Sequence, residues 1–350
     1  MKIDYTFIKT ANTYTCIGNL LIVIFLNLLF SEQAFAQDDG PRSYWNARAG
    51  TNIMSFQYLP ISIGAADSDA FAPGQYIYPN ANINANVFIG SYAHHMTILK
   101  RPSAFALNII GGGVNANFNT NVPPEMVPPE IGLGATFNQT SSGFADPNMQ
   151  LVMNLFGTPQ LKSGVDMLNY EPKASLDAAV LVAVPIGKYD SNKLVNMGLN
   201  RWYSRFALPF KYHFGVFSPG YMSSFELTPS VWLFGENDDF IGHTMENEVM
   251  WQLEAHLTHD FNNSFFGSLD MLYQNGFQSK IDGDEVGGQL EIGTLGFALN
   301  YQISDNITIR TSYHANVFGD KNLETSAIRL QFVYAWHRAT ENMKKLMQGH

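Results

Sequence analysis

The chain has 350 residues, of which 46% are apolar, 13% aromatic and only 14% charged, whereas a soluble domain usually carries about 25% charged residues. Twenty basic residues against thirty acidic ones give a net charge of −10, which argues against nucleic acid as a partner. The single cysteine, Cys16, excludes a disulfide framework and thiolate metal or redox chemistry.

Residues 1–36 read as an export signal. Lys2 and Lys9 precede an apolar run from Leu20 to Phe30, and Ala34-Phe35-Ala36 supplies the small residues of a cleavage site. That run is well short of the ~20 residues a spanning helix needs. The mature chain is expected to start at Gln37. Losing Lys2, Lys9, Asp4 and Glu32 with the leader keeps its net charge at −10. No later segment is apolar for long enough to span as a helix, so a strand-built barrel or a soluble fold remains.

Beyond the leader, segments of about 10 to 14 residues alternate apolar with polar side chains between turn residues. The alternation predicts strands near 45–58, 82–97, 104–118, 145–156, 174–186, 202–214, 223–235, 250–261, 264–276, 288–303, 306–318 and 326–338. In the last, Ile328, Leu330, Phe332, Tyr334 and Trp336 share one face, while Arg329, Gln331 and His337 share the other. Trp251, Leu253, Ala255 and Leu257 likewise oppose Gln252, Glu254, His256 and Thr258. Tight turns at Lys100–Pro102, Asn262–Asn263 and Ser304–Asp305 alternate with wider stretches such as 60–80, 119–143, 187–200 and 277–286. The exception is 157–173, long where a short turn is expected. The fold expected is all-β: a closed, antiparallel, up-and-down transmembrane β-barrel of about 12 strands over 37–338, followed by a short periplasmic tail at 339–350. A first strand at Trp45 leaves no room for an N-terminal plug.

Several motifs resemble the family of outer-membrane proteins named for the MetA pathway of phenol degradation. They include Pro41-Arg42-Ser43-Tyr44, Asp146-Pro147, Asn154 to Pro159, Pro185-Ile186-Gly187-Lys188-Tyr189-Asp190, Asn196-Met197-Gly198-Leu199-Asn200-Arg201-Trp202 and Tyr334-Ala335-Trp336. The resemblance runs across nearly all of the mature chain and implies an outer-membrane barrel that passes small apolar or aromatic compounds. Phe144-Ala145 stands where the family usually has a glycine-rich run. The proline pairs at 123–124 and 128–129 and the tail after Trp336 also set this chain apart.

Two groups of residues are candidates for function. Glu254, His256, Asp270, Arg310, His314 and Arg329 fall on inward faces of neighbouring strands, where they either line a pore or knit into a salt-bridge network that closes it. Lys188, Asp190, Lys193, Asn200, Arg201 and Trp202 lie in an external loop that either folds inward to constrict the mouth or rebuilds the rim, with Trp202 in the aromatic girdle. Acidic groups at Glu236, Asp238 and Asp239, or at Asp282, Asp284 and Glu285, offer oxygen ligands without the spacing of a calcium loop. His94-His95 points its rings to opposite faces, and no metal, cofactor or catalytic set is expected. The functional expectation is a passive channel for small, hydrophobic or aromatic solutes, with outer-membrane lipid and lipopolysaccharide around it. One rival is a sealed structural or surface-interaction barrel. A remoter one is an outer-membrane lipid hydrolase, for which His259, Asn262 and Ser264 are the best available set.

Overall fold

Strands with one apolar and one polar face can place both correctly by closing into a tube, which also leaves no unpaired edge. The computed structural model of the chain shows this closure. It describes residues 39–65, 71–72, 75–76, 82–119, 136–171, 173–216, 220–286, 289–319 and 323–337. The expected leader (1–36), the tail (339–350) and most of 119–143 lie outside the described residues.

The first strands are β1 (Thr51–Ala65), β2 (Phe71–Ala72), β3 (Gln75–Tyr76), β4 (Asn82–Ile98), β5 (Arg101–Asn119), β6 (Thr136–Phe144) and β7 (Asn148–Phe156). A short helix, α1 (Gly164–Asn169), precedes β8 (Ala174–Ala183), β9 (Tyr203–Ala207), β10 (Phe210–Phe214) and β11 (Ser223–Phe234). Then come β12 (Asn237–Phe240), β13 (His243–Asn247), β14 (Met250–Asn262), β15 (Phe265–Gly276), β16 (Ser279–Ile281) and β17 (Asp284–Val286). β18 (Leu290–Gln302), β19 (Ile307–Gly319) and β20 (Leu323–His337) complete the chain.

Every neighbouring pair around the wall is antiparallel, and β20 closes on β1 with Thr51 opposite His337. The wall has twelve staves. β6 and β7 lie end to end along β5 as one stave, and β9 and β10 do so between β8 and β11. Both interruptions have a local cause. Pro147 and Pro209 lack the N–H a continuous ladder requires, and the Pro209 carbonyl still accepts from Asp177 N.

Chain reversals at 99–100, 263–264 and 303–306 are short and lie at one end. Leu99 and Lys100 both have positive φ, 48° and 64°, as a two-residue turn matched to strand twist requires. The long 157–173 connection sits at this same end. Its helix is closed by a capping box in which Asp166 N donates to Ser163 Oγ (3.1 Å) and Ser163 N to the Asp166 carboxylate (2.7 Å).

One expectation fails here. The first strand begins at Thr51 and not at Trp45, and residues 39–50 form an irregular segment that enters the barrel. The chain does carry an N-terminal plug. The 157–173 connection seats it: Ala49 N donates to Leu161 O, Arg48 Nε to Lys162 O and Asn46 Nδ2 to Thr158 Oγ1.

The outer face is apolar. Phe56, Phe88, Ile109, Trp251, Leu269 and Leu330 are exposed on β1, β4, β5, β14, β15 and β20, an apolar outer surface that suits lipid and not water. Among the described residues no helix is long and apolar enough to cross a membrane. The inner face carries the buried polar and charged side chains. Towards the long-loop end, wall residues Ile63, Ile83, Leu181, Trp232 and Ile292 pack with Leu194 and Val195 of the 184–202 connection, and with Phe240 and Met245 of the β12–β13 hairpin.

Candidate functional site: the lumen

Inward positions two residues apart on adjacent strands stack into rows, so registered charges meet directly. His256 stands opposite both Glu226 and Asp270 in the ladder. Its Nδ1 reaches Asp270 Oδ1 at 2.6 Å and its Nε2 reaches Glu254 Oε1 at 2.8 Å. Asp270 also accepts from Ser268 Oγ at 3.0 Å and faces His314 Nε2 at 3.6 Å. The His314 ring needs Gly296 opposite it, because a Cβ there would lie 2.0 Å from ring atom Cδ2. Four of the six predicted lumen residues therefore meet in one chain, Glu254–His256–Asp270–His314. Arg310 and Arg329 line the central cavity.

The plug completes this network. Glu254 Oε1 accepts from Asp39 N (2.9 Å) and Gly40 N (3.2 Å), and Glu226 accepts from Arg42 N (2.9 Å) and the Trp45 indole N–H (2.8 Å). Arg205 Nη1 bonds Asp39 Oδ2 at 2.6 Å, and Arg42 Nη1 bonds Asp260 Oδ1 at 2.6 Å. Lys211 donates to Asp177 and to the Tyr44 carbonyl. These pairs include Asp177, Arg205, Lys211 and Asp260, which were not among the sequence candidates. The signal was there: Tyr203-Arg205-Ala207 and Ser175-Asp177-Ala179 alternate inward with the same period of two.

Charge is unevenly distributed round the lumen. The staves from β8 to β14 carry the acids and bases that grip the plug, while β1, β4, β5 and β7 present Ile53, Gln57, Ile89, Ala104, Asn108 and Val152. A cavity of about 490 Å³ lies against this uncharged half, bounded opposite by Tyr44, Arg205, Trp232, Arg310 and Arg329. Trp232, Arg310 and Arg329 thus border this cavity.

The external-loop candidates divide. β8 stops at Ala183, and the 184–202 connection takes the place beside β6 that a longer β8 would occupy: Lys188 N donates to Phe144 O, Lys188 Nζ to Ser142 O and Lys193 Nζ to Thr140 O. Asp190 closes a turn by accepting from Asn192 N, and Asn200 Nδ2 donates to Asn237 Oδ1. Arg201 is buried over the Phe234 ring, 5.4 Å from its centroid, and burial pulls its pKa down to about 10. Trp202 is exposed, as are Lys188 and Asp190. Leu194 and Val195 carry the connection inward onto the wall, while Lys188, Asp190 and Trp202 stay at its open edge.

The hydrolase set does not assemble. Asn262 Oδ1 accepts from Ser264 N within the turn, while His259 Nδ1 meets Ser223 Oγ at 2.9 Å and its ring meets Phe261 edge-on. At the acidic loops, Asp282 is engaged by His243 Nδ1 at 2.6 Å and Thr244 N at 2.9 Å. Thr244 N, then His243, holds its carboxyl below the usual range. His95 lines the cavity and His94 meets Asn52 Oδ1 on the other side.

A twelve-stranded barrel with an occupied, charge-lined lumen defines the class of protein. The model of the family described as "Putative MetA-pathway of phenol degradation" matches residues 66–332, and the chain belongs to that family. No curated protein sequence matches it. Among solved structures it is similar to an outer membrane channel from Pseudomonas putida F1, at 15% identity and a TM-score of 0.65, covering 85% of this chain and 100% of that one. It is also matched by the β domain of the Bordetella autotransporter BrkA, at 6% identity and a TM-score of 0.46, covering 82% of this chain and all of the other.

Proposed function

We propose that the protein is an outer-membrane channel through which small apolar or aromatic solutes pass without an energy source. The carrying observation is the cavity of about 490 Å³ within the barrel, apolar and uncharged along one wall and edged by guanidinium groups on the other. Ile53, Ile89, Ala104 and Val152 suit an aromatic ring, while Gln57, Asn108 and Gln150 suit hydroxyl or carboxyl substituents. In this reading the long-loop end faces outward, and the short-turn end faces the periplasm. The six predicted lumen residues have two uses. Glu254, His256, Asp270 and His314 fix the plug and the wall; Arg310 and Arg329 face the solute. Lys188, Asp190, Lys193, Asn200 and Arg201 hold the inward loop that narrows the outer mouth.

A sealed scaffold is the second reading, and the plug's ion pairs to Asp260 and Arg205, with its hydrogen bonds to Glu226 and Glu254, favour it. Single-channel conductance of the refolded protein in a planar bilayer decides between them. The channel reading expects small steady conductance that small aromatic acids block from the outer side. A folded barrel that stays silent with and without those solutes overturns it in favour of the scaffold.

A further inference from the structure

Among the described residues the central cavity has a neighbour. This second cavity, of about 410 Å³, opens at the short-turn end and is lined by polar groups including Asn262, Ser264, Asn300 and Gln302. Three residues line both: Arg42 of the plug, Arg310 of β19 and Val333 of β20. The partition between the chambers is therefore built from two guanidinium groups and one small apolar side chain. A solute travelling the length of the lumen crosses there.

Arg42 is held at that partition from several sides. Nη1 bonds Asp260 Oδ1 at 2.6 Å, and Nε and Nη2 both donate to Thr258 Oγ1, at 3.0 and 2.9 Å. Its guanidinium lies 3.9 Å from the Phe266 ring centroid and 4.3 Å from that of Trp45. Arg310 approaches the same Phe266 ring at 5.9 Å. Asp260 is itself buried and lines the second chamber, and its backbone N–H is tied to Met222 O. A buried ion pair at a narrow step sets which sign of charge crosses, because low-dielectric walls strengthen its field.

We infer that the Arg42–Asp260 pair is the selectivity element of the inner exit, balancing one charge against the other where the two chambers meet. This rests on the channel reading above. It makes an asymmetric prediction, since removing either partner uncovers the opposite charge. Arg42→Gln leaves the Asp260 carboxylate facing the gap and favours cations. Asp260→Asn leaves the Arg42 guanidinium and favours anions, including aromatic carboxylates.

The test is the zero-current potential across a salt gradient for the wild type and both variants, each shown to be folded by circular dichroism and heat-shifted gel mobility. Opposite shifts are expected, each changing the cation-to-anion permeability ratio by about threefold or more. Val333→Trp, which leaves the ion pair in place, is expected to lower conductance without moving that potential. If the wild type conducts and neither charge variant moves the potential, or both move it in the same direction, the assignment falls while the channel survives. Silence from all the folded proteins removes the channel and this role together.

Discussion

Asp146 fastens the inward loop at both of its ends. Its carboxylate accepts from Gly187 N and Leu199 N, each at 2.7 Å. Asp146→Asn turns one acceptor into a donor that confronts an N–H, a loss of about 1–3 kcal/mol at neutral pH. Urea unfolding of wild type and variant should show that loss; equal stabilities would refute the assignment. Lys211 and Asp177 present a different case, both being almost wholly buried. Asp177→Ala strands the ammonium group and is expected to cost about 3–5 kcal/mol in the same assay, with much of that loss recovered when Lys211→Met is added.

At the scale of elements, the 184–202 connection is positioned by close backbone approach. A Cβ on Gly187 would lie 2.6 Å from the Ala145 carbonyl carbon and 2.7 Å from Asp146 Oδ1, neither of which can yield without opening the Asp146 bonds. Gly187→Ala should therefore release the loop, and trypsin cleavage after Lys188 and Lys193 should rise on the order of tenfold over wild type. Unchanged digestion would mean that Leu194 and Val195, packed in the apolar cluster, hold the loop alone. The strands were legible in the sequence because a period of two reports the face of every residue, and Glu254, His256 and Asp270 could be placed on one wall from that alone. The plug was not legible. Residues 39–50 have no repeating period, and Tyr44, Trp45 and Asn46 read as well as the start of a strand. Their seats are charges 166 to 215 positions away, on staves whose order only closure establishes. The break at Pro209 shows the same limit, since a proline in an alternating run signals an interruption without saying that the stave resumes at Phe210.

For the molecule as a whole, the decisive property is that its polar groups are inside and its apolar groups outside, the reverse of a soluble fold. Leu269 and Asp270 make the contrast on one strand: the first is 66% exposed and flanked on the outer face by Leu257 and Phe297, while the second is 3% exposed inside. In water an exposed leucine contributes little, and Leu269→Arg would be close to neutral or would improve solubility. Facing lipid, the same change places a guanidinium near the middle of a stave that crosses the hydrocarbon, at a cost of about 2–4 kcal/mol. A conservative partner, Leu269→Phe, keeps the face apolar and should behave like the wild type. Unfolding free energies measured in bilayers of fixed thickness should show that penalty for arginine at position 269. The penalty should fall to about 0–1 kcal/mol for arginine at Ile303, beside the short-turn end where the side chain reaches the interface. Equal, negligible costs at both positions would mean that the apolar wall does not face lipid, and the membrane reading of the barrel would fail with it.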